Sequence, residues 1–145
     1  MSVYVANAPI SYGAFELTVG VDPAVPDPIA LLDLVRSAGY VGIDLGPVGY
    51  LGHGDELGER LSERDLGLAG GYLELPFSEP ERIGAALADL DAMLDVFDRV
   101  THRPLPPKPT LAGPSHTPFG NSPWPPSKSI RPSPRSVVLV CNHPK

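Results

Sequence analysis

Cysteine is nearly absent from this sequence, since Cys141 is the only one among 145 residues. A single thiol excludes a framework of internal disulfides, so we expect a reducing compartment, the cytoplasm. No apolar run reaches the ~18 residues that span a bilayer. The N-terminus also lacks a charged segment followed by an apolar one. The sequence therefore predicts neither a membrane-spanning segment nor a secretory leader.

Acidic residues are missing from the last 45 residues of the chain, and lysine is missing from the first 100. Residues 1–100 contain no lysine and five arginines against all 17 acidic residues, whereas residues 101–145 contain six basic residues and no acid. The total of −6 disfavours a general binder of nucleic acids or of anionic membranes. We place a domain boundary near Thr101 because folded domains rarely change composition so abruptly.

Residues 101–145 hold 12 of the 19 prolines. Proline at this density interrupts helices and strand ladders, so we expect this basic tail to be disordered or polyproline-like. The stretch 136–141 has strand composition, but no neighbouring segment offers it a partner. "RPLPPKP" at 103–109 has the basic-x-x-Pro-x-x-Pro spacing of an SH3-type ligand, with Arg103, Pro106 and Pro109. A chance match in a proline-rich stretch is the other interpretation.

Familiar catalytic motifs are also missing. The sequence has no nucleophile elbow, no Walker loop and no C-x-x-C pair. The glycines of residues 46–54 are spaced G-x-x-G-x-x-G-x-G, which is not the dinucleotide fingerprint. No set of side chains has metal-ligand spacing. Spacing alone therefore predicts neither a nucleotide site nor a metal site.

Alternating strand and helix patterns fill residues 1–100. Strands are predicted at 2–8, in "GYVGIDLGPV" at 39–48, and at 66–75. Helices are predicted after the N-cap and first-turn pair Asp27–Pro28, from about Asp55, and after a capping box at Ser78 and Glu81. The order β-α-β-α-β-α predicts an α/β fold with a parallel sheet. Both an open doubly wound sheet and part of a (β/α)8 barrel fit, and a whole barrel needs ~250 residues.

Asp44 interrupts the apolar second strand. Side chains alternate along a strand, so Val41, Ile43 and Leu45 face one way and Asp44 faces the other. Parallel sheets place their chemistry at the carboxyl ends of strands, which makes Asp44 a candidate site residue. The alternative is a carboxylate that binds loop amides or caps a turn.

Two more candidates come from the same reasoning. Glu74 has the parity of Gly70 and Tyr72 at the end of the third strand, so it is expected to face the same mouth as Asp44. His53 lies in the glycine-rich loop and is either a ligand-side residue or an ordinary surface histidine.

The segments "NAPISYGAFE", "LLDLVRSAGYVGIDLGPVGYLG" and "LGERLSERDLGLAGGYLELPF" resemble the opening of the xylose isomerase-like TIM-barrel superfamily. Within it they are most similar to sugar phosphate isomerases/epimerases and inosose dehydratases. The Gly-hydrophobic-Glu-hydrophobic-Gly strand of that family is here Gly42-Ile43-Asp44-Leu45-Gly46, with Asp in place of Glu. The resemblance covers residues 1–100 and implies the first three βα units of a (β/α)8 TIM barrel.

The resemblance also implies an activity: metal-assisted isomerisation, epimerisation or dehydration of a sugar or cyclitol beside its carbonyl. Full-length relatives bind Mn, Mg, Co or Zn through residues of later strands, so no metal ligand is assigned to this chain. The matching positions are the substrate-side rim, at Asn7, Ala8, Asp44, Tyr72 and Glu74.

The missing later strands and the changed tail lead to one expectation: a truncated or frameshifted barrel, inactive as this chain. A short parallel sheet leaves an open edge, so self-association is expected. The alternative is a non-catalytic α/β interaction protein that presents the proline-rich ligand.

Overall fold

The computed structural model describes residues 3–100, 104–113 and 137–141, the last five by their backbone alone. Within these ranges the strands are β1 (Val3–Asn7), β2 (Gly42–Asp44), β3 (Gly67–Glu74), β4 (Lys108–Ala112) and β5 (Val137–Cys141). The α-helices are α1 (Pro28–Ser37), α2 (Asp55–Glu63) and α3 (Pro80–Arg99). A short 3-10 helix, Pro9–Tyr12, follows β1.

The start of α1 confirms the prediction from its sequence. The Asp27 side chain accepts the backbone N–H groups of Ile29 at 2.9 Å and Ala30 at 3.4 Å, and Pro28 fills the first helical position. The capping box predicted for α3 is wrong. This helix begins at Pro80 with Glu79 at the N-cap and no side-chain cap bond. Pro80 lacks an N–H and has a helical φ, so it starts the helix two residues after Ser78.

The strands form one sheet in the order β4-β3-β2-β1-β5. β1, β2, β3 and β4 run parallel, and β5 pairs antiparallel with β1. The four parallel strands form a curled sheet, as in half of a barrel. The predicted α/β class with a parallel sheet is therefore confirmed.

The core lies between the sheet and the three helices. Ile43, Leu45 and Leu68 are almost fully buried on the helix-facing side of β2 and β3. They join one cluster with residues from every helix: Leu31, Leu32 and Val35 of α1, Leu57 and Leu61 of α2, and Met93 and Phe97 of α3. Burial of each such side chain contributes about 1.5–3 kcal/mol. The alternation along β2 thus sends Ile43 and Leu45 toward the helices, as predicted, whereas Val41 is half-buried and is not part of this cluster.

The predicted absence of regular structure from the tail is wrong for Lys108–Ala112, and the strand composition of 136–141 does give a strand, although no neighbouring partner was expected for it. Lys108–Ala112 forms β4 on the outer edge of β3, and Val137–Cys141 forms β5 on the edge of β1. Their partners are distant in sequence, so no local period announces them. Residues 101–103, 114–136 and 142–145 lie outside the described residues.

α3 is the longest helix in the described part of the chain, with 20 residues. Its apolar residues are interspersed with several aspartates. None of the helices in the described ranges is long and apolar enough to cross a membrane.

Candidate functional site

A cleft of about 470 Å³ opens at the carboxyl ends of the parallel strands. The segment after β1 contributes an apolar wall, which includes Ile10 and Phe15, and Pro47 continues that wall from the loop after β2. The polar lining comes from four places in the chain: Glu16 in the loop after β1, Asp44 at the end of β2, Tyr72 in β3 and Thr110 in β4. The cleft therefore joins residues of four consecutive strand-and-loop units.

Asp44 is the last residue of β2 and is half-buried. Its Oδ1 accepts the backbone N–H of Gly46 at 3.0 Å. Burial raises the pKa of Asp44 above its ordinary value, and the hydrogen bond from Gly46 opposes that rise in part. The carboxylate caps the turn after β2, which is the alternative that the sequence left open, and it also lines the cleft. Its role as a site residue stays a prediction.

Gly46 holds that turn in place. Its φ is +60°, a conformation that favours glycine, and a Cβ there would lie 2.7 Å from Cγ of Pro9. Because Pro9 lies beside the cleft after β1, this contact fixes the loop after β2 against the loop after β1. The close approach of the two loops positions the N–H that holds Asp44.

An irregular register sets the face of β3 that reaches the cleft. Ile43 pairs with Leu68 and Asp44 pairs with Gly70, so the register shifts by one residue between them. A Cβ at Gly71 would contact Leu45 and Phe97 in the core. Tyr72 consequently lies on the opposite face, with Asp44, and the parity predicted for these two residues is the one observed.

Tyr72 is about half exposed, and its hydroxyl donates to Oε1 of Glu74 at 3.2 Å. Burial, followed by the negative charges of Glu74 and Glu16, raises the pKa of Tyr72. The phenol therefore stays protonated at neutral pH and remains a hydrogen-bond donor. Glu74 itself is exposed and is not among the residues that line the cleft.

Two further predicted site residues, besides Glu74, lie apart from the cleft lining. Asn7 is nearly fully buried, where its Oδ1 accepts the Ala8 N–H at 2.8 Å and its Nδ2 donates to the Tyr12 hydroxyl at 3.2 Å. It anchors the 3-10 helix rather than facing the cleft. His53 is exposed, and its backbone N–H donates to Glu56 at the start of α2.

Glu16 and Thr110 are the polar lining residues that sequence reasoning missed. Glu16 belongs to the segment "NAPISYGAFE", but it follows an irregular loop in which no alternation indicates a direction. Thr110 lies in the tail that was expected to be disordered. It pairs with Tyr72, which places its side chain on the cleft side of the sheet. Only the pairing of β4 with β3 brings it there.

The family that this sequence resembles binds a divalent metal, and the described side chains do not form a site for one. Across the described ranges, no three or more His, Cys, Asp or Glu side chains come together in a way that could hold a metal ion. Glu16, Asp44 and Glu74 thus do not fit as a metal centre in the described part, and no chemical step through a metal follows from them.

Comparisons with protein-family models, with curated proteins and with solved structures give no match for this chain. The resemblance to xylose isomerase-like barrels accordingly remains a prediction from the quoted segments, and the cleft has to be interpreted from its own residues.

Proposed function

We propose that the cleft binds a sugar or cyclitol, as the substrate-side part of a sugar phosphate isomerase/epimerase-like or inosose dehydratase-like (β/α)8 barrel. One observation carries the proposal: Asp44, Tyr72 and Thr110 surround a single cleft at the carboxyl ends of three neighbouring parallel strands. This is the end at which parallel α/β sheets and barrels bind their ligands.

The lining suits a ring that carries many hydroxyl groups. The Asp44 carboxylate accepts hydrogen bonds, and the hydroxyls of Tyr72 and Thr110 both donate and accept. The apolar wall of Ile10 and Phe15 offers a surface for the C–H face of such a ring. The volume of about 470 Å³ is in the range of small-molecule sites.

The family reaction moves a proton beside a carbonyl with the help of a metal, which polarises that carbonyl. This chain's own residues are assigned to binding and orientation. Among these residues, Asp44 is assigned to take up a proton beside the ligand, because burial raises the pKa of its carboxyl group and so favours the protonated form.

The test is a titration followed by backbone-amide NMR, with D-xylose, D-fructose and myo-inositol as probes. We expect millimolar binding, with shifts centred on Gly46, Tyr72 and Thr110. Asp44→Asn removes a charged acceptor and should weaken binding about tenfold, since such a hydrogen bond contributes roughly 1.5–3 kcal/mol. Thr110→Val, which keeps the shape of the side chain, should weaken it less.

Asp91→Asn is the matched control for charge, because Asp91 is an exposed residue of α3 and is not part of the cleft. It should leave binding unchanged. If none of the three probes shifts these amides, or if Asp91→Asn weakens binding as much as Asp44→Asn, the proposed function is wrong.

The proline-rich ligand has a competing structure in this chain. Pro109, the last proline of the motif, is part of β4 and pairs with Gly71 of β3. Pro104 and Leu105 lie against the sheet beside Tyr4 and Val41. Arg103 lies outside the described residues. Docking of residues 103–109 on an SH3-type domain would have to displace β4, so this second function stays a prediction without a structural observation in its favour.

A further inference from the structure

Among the described residues, the charged side chains that line the cleft are all acidic. Glu16 and Asp44 line it directly, and Glu74, which is not part of the lining, accepts a hydrogen bond from Tyr72, which is. Among the described residues that line the cleft, none is a lysine, an arginine or a histidine. A ligand that enters the cleft therefore meets carboxylates and neutral hydroxyls.

The arginines of the described part are committed elsewhere. Four of them form ion pairs with carboxylates: Arg36 with Asp65, Arg60 with Glu56, Arg64 with Asp33 and Arg82 with Glu79. The remaining one, Arg99, lies beside Gly54 at the start of α2. Lys108 is the described cation closest along β4 to the cleft residue Thr110. It lies two residues before Thr110, on the same face of the sheet but nearer the amino end of the strand.

The helix N-termini offer no anion site either. Phosphate often binds at the N-terminus of a helix, where backbone N–H groups are unpaired. Here Asp27 accepts the first N–H groups of α1, and α2 begins with Asp55 and Glu56. α3 begins with Pro80, which has no N–H, followed by Glu81. Each of the three α-helices in the described ranges thus places a carboxylate where a phosphate would bind.

We propose that the cleft takes an unphosphorylated polyol, either uncharged or amine-bearing, and rejects phosphate esters. This inference rests on the proposed function and narrows it to the class of substrate without a phosphate group. A phosphate ester would bring about two negative charges into a half-buried site that already holds two carboxylates, and no described cation compensates them.

The test compares matched ligands by the same NMR titration: D-glucose with D-glucose 6-phosphate, and myo-inositol with myo-inositol 1-phosphate. We expect each phosphorylated member to bind at least tenfold more weakly than its parent. D-glucosamine should bind at least as tightly as D-glucose. Added salt should reduce the discrimination, because Glu16 is exposed and its charge is screened.

Variants assign the discrimination to the cleft. Glu16→Gln should improve the binding of D-glucose 6-phosphate several-fold while changing the binding of D-glucose less. Glu59→Gln, an exposed carboxylate on α2 away from the cleft lining, is the control for net charge and should change neither. Lys108→Met should leave the binding of the phosphorylated probe unchanged.

The outcomes separate the inference from the proposal that it extends. If the phosphorylated members bind as tightly as their parents, or if Lys108→Met abolishes their binding, the inference is wrong and the proposed function stands. If neither member of any pair binds, the proposed function fails and the inference fails with it. Tenfold selection for the unphosphorylated members, reduced by Glu16→Gln and unchanged by Glu59→Gln, supports both.

Discussion

Asp44 is held half-buried at the end of β2 by a turn with little freedom. The Gly46 N–H reaches Oδ1 at 3.0 Å, and Pro9 packs where a side chain at position 46 would be. One hydrogen bond from a neutral amide does not replace the hydration that a carboxylate loses on burial. The residue therefore lowers the stability of the fold in its charged form, which is common for side chains that serve a site.

Asp44→Asn should stabilise the chain at neutral pH. Burial raises the pKa of Asp44 above 3.8, so the folded chain binds this proton more tightly than the unfolded chain does. The contribution of Asp44 to stability is therefore lost as the pH rises from 3.8 through the raised pKa. Asparagine keeps the acceptor for Gly46 without the charge. Urea unfolding at several pH values should show the largest gain at neutral pH and little difference below pH 3.8.

Asp91→Asn serves as the control, since Asp91 is exposed on α3 and its substitution changes the net charge equally. It should change the free energy of unfolding by less than about 0.5 kcal/mol at every pH. A variant Asp44→Asn that is less stable than the parent at neutral pH would contradict the account. The charged carboxylate would then be stabilising the turn.

Side-chain alternation is the part of the site that could be predicted from the sequence. It placed Asp44 and Tyr72 on one face, and both line the cleft. Asn7 was expected at the rim from the family resemblance, but its register with Ile43 puts it on the helix-facing side, where its Nδ2 donates to the Tyr12 hydroxyl. Alternation could not place Glu16, because a loop has no period. It could not place Thr110 either, because the position of Thr110 depends on a long-range strand pairing.

At the scale of elements, β4 forms one edge of the described sheet, and its outward side lacks a backbone N–H at Pro109. The Ala112 carbonyl accepts the Leu75 N–H, so the backbone N–H and C=O groups of Ala112 point toward β3. Backbone groups alternate along a strand, and hence Pro109 and Leu111 point away from β3. Proline at an outward position costs the ladder nothing and removes an N–H that another strand would need. Pro109 therefore guards the open edge against pairing with a second chain.

Pro109→Val should increase self-association. Valine restores the outward N–H and has a higher strand propensity, so the edge becomes a better template. Sedimentation velocity over a range of concentrations should show a larger share of dimers or higher species than the parent shows. This measurement also tests the predicted self-association through an open edge, which belongs to β4 and not to β3.

Pro106→Val is the matched control, because Pro106 is exposed and precedes the strand. Both substitutions remove a proline of the 103–109 motif and should weaken docking on an SH3-type domain alike. Only Pro109→Val should change the association state. Equal sedimentation of the parent and both variants would show that Pro109 does not protect the edge.

Elements with local signals were predictable and elements without them were not. Asp27 and Pro28 identify the start of α1 because capping depends on neighbouring residues. β4 and β5 contain or follow prolines, and their partners β3 and β1 lie tens of residues away. The hydrogen bonds of these two strands come from the edges of an existing sheet. Composition alone carries no information about such pairing.

For the whole molecule, the segments beyond Thr101 cover both edges of the three-stranded core. β4 extends the parallel sheet beside β3, and β5 covers β1 in the antiparallel direction. In a closed (β/α)8 barrel, the edge of β1 pairs with a parallel strand from the end of the chain. Here β5 occupies that edge, so the four parallel strands are bounded as an open, curled sheet.

A chain that ends at residue 100 should lose most of its stability. Each flanking strand forms five residue pairs with its neighbour, and a backbone hydrogen bond contributes about 1 kcal/mol net. Removal of both strands should cost on the order of 10 kcal/mol, comparable with the total stability of many domains. Urea unfolding followed by circular dichroism should show the loss of a cooperative transition. The same deletion removes Thr110 from the cleft.

A chain that ends at residue 113 separates the two strands, because it keeps β4 and removes β5. It should retain a transition at lower urea than the full chain, since β3 stays paired while the β1 edge is uncovered. If this chain binds the probes and the chain that ends at 100 does not, β4 and its Thr110 are required for the cleft. If the chain of residues 1–100 instead unfolds at the same urea concentration as the full chain, the boundary near Thr101 separates a self-sufficient domain from a dispensable tail.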